Sequence, residues 1–337
     1  MYKSAAGFAA CRAQLCENRR KAECRVVQAM DRKEVLQDWL HQVLPGERFD
    51  LTAASADASF RRYFRVHLAE RTLIAMDAPP PQEDCRPFVH AATVLMQAGL
   101  NVPRVMEQDL ERGFLLLSDL GDETYLSALN EDTADALYRD AMSALVRMQG
   151  ASRPGTFPPY DEALLMREMQ LFSDWYVVRH LGVTLTDTEM QSLQQTFELI
   201  CRNVLVQTQV YVHRDYHSRN LMVCRNREGS NPGVLDFQDA VHGPITYDLV
   251  SLLKDAYIAW DEERVIDWCV RYWQAARAAG LAVPSDFADF YRDFEWMGAQ
   301  RHIKVLGIFA RLCHRDGKDG YLKDMPLVMD YLRRACA

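Results

Sequence analysis

The chain has no lysine between Lys33 and Lys254, no glycine in the stretch SADASFRR (55–62) and no excess of positive charge. It also has no run of the roughly 18 apolar residues that a membrane-spanning helix needs. Each absence excludes something. Without lysine over that span, arginine must supply any positive charge that meets an anionic ligand there. A formal charge of −8 argues against a protein built to grip a nucleic-acid backbone or an anionic membrane, since both select for clustered Lys and Arg. The early segment AAGFAAC is too short and too weakly apolar for a secretory core, so the expected compartment is the cytoplasm. No internal repeat and no low-complexity segment occurs, which excludes a solenoid. Nine cysteines make an odd set, and Cys201, Cys224 and Cys269 sit alone in apolar settings, so reduced buried thiols are expected in place of disulfides. Cys11, Cys16 and Cys24 lack the partners that a four-ligand zinc site requires.

Hydrophobic residues make up 49% and charged residues 26%, a composition suited to globular lobes with real cores. Before Met30 there are 6 basic and 2 acidic residues, against 33 and 45 from there on. A helical pattern begins just after it, with Val35, Leu36, Trp39, Leu40 and Val43 at helical spacing. Residues 1–29 are therefore expected to be a poorly ordered tail or a non-native start. From 30 to 121 the pattern predicts a short helix and four strand-like pieces, RRYFRVHL, RTLIAMDA, PRVMEQD and GFLLLSDLG, with the helical FVHAATVLMQAGL (88–100) inserted. From 122 to 337 the texture becomes long amphipathic helices, expected near 124–149, 161–180, 186–206, 246–259, 262–279 and 285–312. The acidic residues on those helices read as solvated faces. A small β-rich lobe followed by a larger helical lobe is an α+β architecture.

A β-rich island interrupts the helices: strand VYV, loop HRDYHSRN (213–220), strand LMVC, turn, strand VLDF. This order brings Asp215, Asn220 and Asp236 to neighbouring loop or strand ends. Oxygen donors of this kind suit Mg²⁺, which is held by one or two protein groups together with waters and substrate phosphates. Phosphoryl transfer needs such an ion and also a separate carboxylate that accepts the proton of the attacking hydroxyl. The spacing H-R-D-x-x-x-x-N matches the catalytic loop of protein kinases, with Asp236 where their metal-binding aspartate follows. Two other readings stay open at this point. The three residues could merely cap turns and end a strand, or His213, Asp215 and His217 could form an H-x-D-x-H metal cluster.

PITYDLVSLL (244–253) follows the LDF segment directly, and in this the chain resembles the aminoglycoside phosphotransferase-like kinases more than protein kinases. More narrowly, DASFRRYFRV, IAMDAPP, GFLLLSDLGD and QRHIKVLGIFARL look like the bacterial anomeric amino-sugar kinases, from about Met30 to the C-terminus. The resemblance implies a bilobal protein-kinase-like fold and ATP-dependent, Mg²⁺-dependent phosphorylation of the 1-hydroxyl of N-acetylmuramate or N-acetylglucosamine, in peptidoglycan recycling. It implies Asp215 as catalytic base, Asn220 and Asp236 as metal ligands, and Asp248 as the prop of the catalytic loop with His213. SADASFRR, with Ser59, would cover the nucleotide phosphates, and LLLSDLG, with Leu117 and Asp119, would be the hinge beside the adenine. The expected partners are ATP and a small amino sugar, with neither nucleic acid nor membrane.

The chain departs from the kinase pattern in two places. IAMDAPP puts Met76 or Asp77 where protein kinases carry their phosphate-binding lysine, and Ala56 stands where the family pattern has glycine. Arg61, Arg62 and Arg65 are the expected replacements for the lysine, unless they form a strand face balanced by Asp57, Asp77 and Glu83. Trp296, Arg301 and His302, with Lys304, stand among apolar neighbours and are expected either to bind the sugar or to snorkel from a packed helix. Two rivals remain: a kinase of the same superfamily acting on an aminoglycoside, choline or homoserine, and a pseudokinase scaffold.

Overall fold

A computed structural model of the chain describes residues 32–56, 60–224 and 230–336. The expected tail at 1–29 and the loop residue Ser59 lie outside the described residues. By its internal contacts the chain divides into two units, one of residues up to Cys85 plus Val105–Asp119, the other of Arg86–Arg104 plus everything from Leu120 onward.

The first unit is one helix, α1 (32–43), on a five-stranded antiparallel sheet: β1 (Asp50–Ala56), β2 (Arg62–His67), β3 (Thr72–Asp77), β4 (Val105–Asp109) and β5 (Phe114–Ser118), in the order β1-β2-β3-β5-β4. Strand alternation aims Val66, Leu73, Ala75, Phe114 and Leu116 at one face. Leu36, Trp39, Leu40 and Leu44, recurring at helical spacing, close over them to form a single core. Each of these large side chains contributes roughly 1.5–3 kcal/mol by leaving water. The β4–β5 hairpin turns at Gly113, where φ is +75° and a Cβ would stand 2.0 Å from the carbonyl oxygen of Ala78. Only glycine fits there. β1 had no counterpart among the expected strands because DLTAASA is built of small residues without apolar alternation.

The second unit is mainly helical. The segment read as a helix inserted in the first lobe, α2 (Arg86–Gln97), packs with this unit instead, because its buried face of Phe88, Ala91, Ala92 and Leu95 finds its partners here. The Phe88 ring lies 4.8 Å from that of Phe237. The helix expected over 124–149 is two, α3 (Tyr125–Ala128) and α4 (Ala134–Gly150). Asn130 breaks it by accepting the N–H groups of Asp132 and Thr133, a local turn that competes with helix. The next helix, α5 (Glu162–Leu171), runs on as a π-helical stretch, Phe172–His180. There follow α6 (Asp187–Leu205), opened by a Thr186/Glu189 capping box, then β6 (Gln209–Val212), β7 (Leu221–Met222), β8 (Gly233–Val234) and β9 (Val241–Pro244). β6 pairs with β9 and β7 with β8. β9 escaped the sequence reading because VHGP is short and carries both glycine and proline.

Helices α7 (Tyr247–Leu253), α8 (Glu262–Ala278), α9 (Phe287–Asp316) and α10 (Met325–Ala335) complete the chain, with a 3₁₀ turn at Asp319–Asp324. α9 starts under the side chain of Asp286, which accepts the N–H of Ala288, and stops at Gly317 in the left-handed conformation. Between Met297 and Gly307 every residue of α9 is buried, so it is the central helix, packed on by α5, α6, α7, α10 and the π-helical stretch. At Gly307 a Cβ would stand 2.4 Å from the backbone carbon of Leu171. That glycine lets the chain at the α5 to π-helix transition rest directly on α9.

Candidate active site

The loop His213–Asn220 joins β6 to β7, and its one large apolar anchor is Tyr216, wholly buried and donating its hydroxyl to the Ala141 carbonyl at 2.9 Å. Two buried aspartates of the α7 region fix it through its main chain. Asp248, in the first turn of α7, accepts the N–H of His213 (2.6 Å) and of Arg214 (3.0 Å). Asp255, just past the helix, accepts the N–H and the hydroxyl of Ser218, at 3.0 and 2.5 Å. The loop is thus tied at both ends. Arg214 takes φ = +77° and Asp236 φ = +62°, unusual for residues with a Cβ and sustained by these fixed partners. Burial pushes the Asp248 carboxyl up to about 7, opposed by the two N–H donors, which favour its charged form.

His213 is wholly buried and uses both ring nitrogens: Nδ1 accepts the N–H of Asp215 and Nε2 donates to the Leu235 carbonyl. This assigns the tautomer, and it leaves no nitrogen for a metal, which removes the H-x-D-x-H reading. Burial pulls the imidazole pKa down to about 4, so the ring is neutral. Asn220 donates through Nδ2 to the Asp215 carbonyl (3.0 Å) and to Asp236 Oδ2 (3.3 Å), while Gln238 donates to Asp236 Oδ1 at 2.8 Å. Nδ2 is thereby committed, and Oδ1 is the Asn220 atom a cation would take. Asn220 and Asp236 therefore present hard oxygens side by side, a donor set that fits Mg²⁺.

Asp215 sits at the centre with its carboxylate accepting no hydrogen bond from a described residue. Burial alone would raise its pKa, but the positive charge of its neighbours, Lys304 first, outweighs it and holds the carboxyl below the usual aspartate value. The group is ionised at neutral pH. Its cationic neighbours are themselves tied elsewhere. Glu168 of α5, buried, forms an ion pair with Arg214 and another with Lys304 of α9 at 3.0 Å. Tyr160 donates to the second Glu168 oxygen, and Lys304 donates to the Tyr247 hydroxyl at 2.8 Å.

In the first unit the arginines of β2 meet carboxylates. Arg62 and Asp77 are direct cross-strand partners, and Asp77, wholly buried, holds Arg62 on one oxygen and Arg32 on the other. Arg65 pairs with Asp119 (2.7 Å) and Arg61 approaches Glu83 (3.7 Å). The counter-charged strand face is thus what Asp77 and Glu83 build. Leu117 is buried in β5, paired across the sheet with Ile74 and Val105. In α9, Trp296 is half-buried, whereas Arg301 and His302 are buried. His302 stacks on Tyr331 at 5.2 Å, as a packed core histidine does. Arg301 Nε and Nη1 and both ring nitrogens of His302 are buried without a hydrogen-bond partner among the described residues.

Glu168, Asp255 and Gln238 escaped the sequence reading. Glu168 was counted among solvated acidic residues, and the structure corrects this: it is buried against two cations. The signal for Asp255 was its spacing of two helical turns from Asp248.

Residues 50–287 match the phosphotransferase enzyme family. The chain is 54% identical over 288 residues to the N-acetylmuramate/N-acetylglucosamine kinase of Pseudomonas aeruginosa, covering 86% of this chain and 84% of that protein. With the protein of the same name from Neisseria meningitidis it shares 49% over 310 residues, 90% and 91% of the two chains. Among solved structures, the GDP complex of aminoglycoside 2'-phosphotransferase-IIIa has a TM-score of 0.61 at 14% identity, covering 88% of this chain and 96% of that one. The ethanolamine kinase of Plasmodium vivax has a TM-score of 0.58 at 12% identity, covering 86% and 82%. The α+β fold is therefore the protein-kinase-like fold, and the chain belongs to the phosphotransferase enzyme family.

Proposed function

We propose that the protein transfers the γ-phosphoryl group of ATP to the anomeric 1-hydroxyl of N-acetylmuramate or N-acetylglucosamine, as a cytoplasmic step of peptidoglycan recycling. The observation that carries the reading is the ionised Asp215 carboxylate, held by a fixed main chain and accepting no hydrogen bond from a described residue, beside the Asn220 and Asp236 oxygens. The names of the relatives support the sugar class. In this reading Asp215 accepts the proton of the 1-hydroxyl as that oxygen bonds to the γ-phosphorus and the bond from the γ-phosphorus to the β–γ bridging oxygen breaks, leaving ADP. The 1-hydroxyl suits a weak base because the adjacent ring oxygen makes it more acidic than an ordinary alcohol. Mg²⁺ held by Asn220 and Asp236 would supply charge to the phosphate oxygens. His213 and Asp248 position the base.

The nucleotide contacts proposed for Ser59, Arg61, Arg62, Arg65, Leu117 and Asp119 belong to the first unit. Because Arg62 and Arg65 already hold Asp77 and Asp119, their role is to shape that surface while sharing charge with the ligand. For the sugar, Arg301 and His302 have the strongest support among the α9 residues, since both carry buried nitrogens with no partner among the described residues; Trp296 is secondary. The test is ADP release over a panel of amino sugars, aminoglycosides, choline and homoserine, with the product identified by phosphorus NMR. A phosphate on the sugar C1 is expected. Turnover only with an aminoglycoside, choline or homoserine overturns the reading, and so does phosphate at another hydroxyl.

A further inference from the structure

Two cations reach the catalytic carboxylate by charge, and neither of them bonds to it. Arg214 Nη2 and Lys304 Nζ both terminate on the same oxygen, Oε1 of Glu168, and the second oxygen of Glu168 receives the Tyr160 hydroxyl. Lys304 is completed by the Tyr247 hydroxyl at 2.8 Å. Glu168 and Lys304 are more than nine-tenths buried, so water screens that pair little, while the Arg214 side chain is 20% exposed. A buried ammonium that loses its carboxylate seeks the nearest other one. Asp215 directly follows Arg214 in the chain, and its charge acts on both Lys304 and Arg214. Were either cation to bond to Asp215, its carboxylate would lose the lone pairs that an acceptor hydroxyl needs.

We propose that Glu168 is a positioning residue that keeps the base free: it sequesters Arg214 and Lys304, so that two positive charges surround Asp215 without occupying it. The inference rests on Asp215 being the base in the reading above. Because Glu168 comes from α5, Arg214 from the catalytic loop and Lys304 from α9, the set also welds three separate elements at the base. A carboxylate built into the fold thus holds the loop arginine permanently, with no modification required to recruit a partner for it.

The test is steady-state kinetics of the full chain with three variants, read as kcat and KM separately. Glu168→Gln frees both cations and Glu168→Gln/Lys304→Met frees only Arg214, whereas Lys304→Met frees neither. The expected order of kcat is Glu168→Gln slowest, the double variant intermediate and Lys304→Met fastest. Glu168→Gln should lose about 10²-fold, the low end of the value of general-base help, while KM for ATP stays within about threefold. A double variant no faster than Glu168→Gln overturns the proposal, and so does a gain in kcat that only tracks a recovered melting temperature, because removing an unpaired buried lysine also relieves a merely structural defect. Should Glu168→Gln fail to fold, the comparison of the other two decides: equal kcat overturns the proposal, and a slower double variant supports it. Failure of the amino-sugar reading shows separately, as a wild-type enzyme that turns over another acceptor, and the same order is then read with that acceptor.

Discussion

At the scale of single residues, the second unit spends two buried aspartates on main-chain N–H groups so that a third, Asp215, can keep its oxygens open. Asp215→Ala is expected to lower kcat by roughly 10²-fold to 10⁴-fold with KM for ATP almost unchanged, because a base touches the acceptor and contributes little to nucleotide affinity. Turnover within tenfold of wild type would remove Asp215 from the role. Asp236→Asn should raise the Mg²⁺ requirement and KM for ATP together, since the charge of the ligand draws in the hard cation; a metal titration at fixed ATP reads this directly, and activity without divalent ions would contradict it. In the first unit, Asp77→Asn removes the buried carboxylate that Arg32 and Arg62 share. The loss for a broken buried pair is about 3–5 kcal/mol, reduced here to about 2 because both arginines are partly exposed. Urea unfolding measures it, and an unchanged midpoint would mean that the clamp adds nothing to stability.

At the scale of elements, the polar island around His213–Asn220 is the most legible part of the sequence. Its residues are polar, ordered and flanked by short apolar strands, so Asp215, Asn220 and Asp236 could be placed together before any coordinates, and Asp248 followed from the family resemblance. What sequence could not reveal was which distant groups face them: Glu168 reads as one acidic residue among many until α5 is laid against α9, and the partners of α2 appear only once Phe88 meets Phe237. Charge on a helix surface is ambiguous because burial is a tertiary property. The junction of α9 with α10 gives a pH-dependent test. Burial first, then the charges of Lys254 and Arg301, holds the His302 pKa well below its ordinary 6.5, so the ring is neutral in the folded protein. The unfolded chain takes up that proton as pH falls through about 6.5, so the stability it contributes is present above that pH and lost below it, at about 1.4 kcal/mol per pH unit. His302→Phe, which keeps the stack on Tyr331, should flatten the decline of melting temperature between pH 6.5 and 5; an identical slope would show that other groups carry it.

At the scale of the whole molecule, the division into a sheet unit and a helical unit follows texture except at Arg86–Arg104: short strands before residue 120 and long amphipathic helices after it, with α2 joining the helical unit. The helical unit is organised around α9, and at Gly307 of that helix an added Cβ would fall 2.4 Å from the backbone of Leu171. Gly307→Ala should lower the stability of this unit by about 1–3 kcal/mol, because a Cβ there collides with backbone that cannot swing aside. A variant that melts with wild type would show that the chain at Leu171 yields. The burial of residues 297–307 on every side has a counterpart in time. The amide hydrogens of that stretch can reach solvent only when the helical unit comes apart as one, since none of its faces is covered by a single loop that could lift alone. In deuterated water those amides should therefore be the last to exchange, at a rate that reports the global opening of the unit, long after the ends of the same helix near Phe287 and Asp316 have traded their protons.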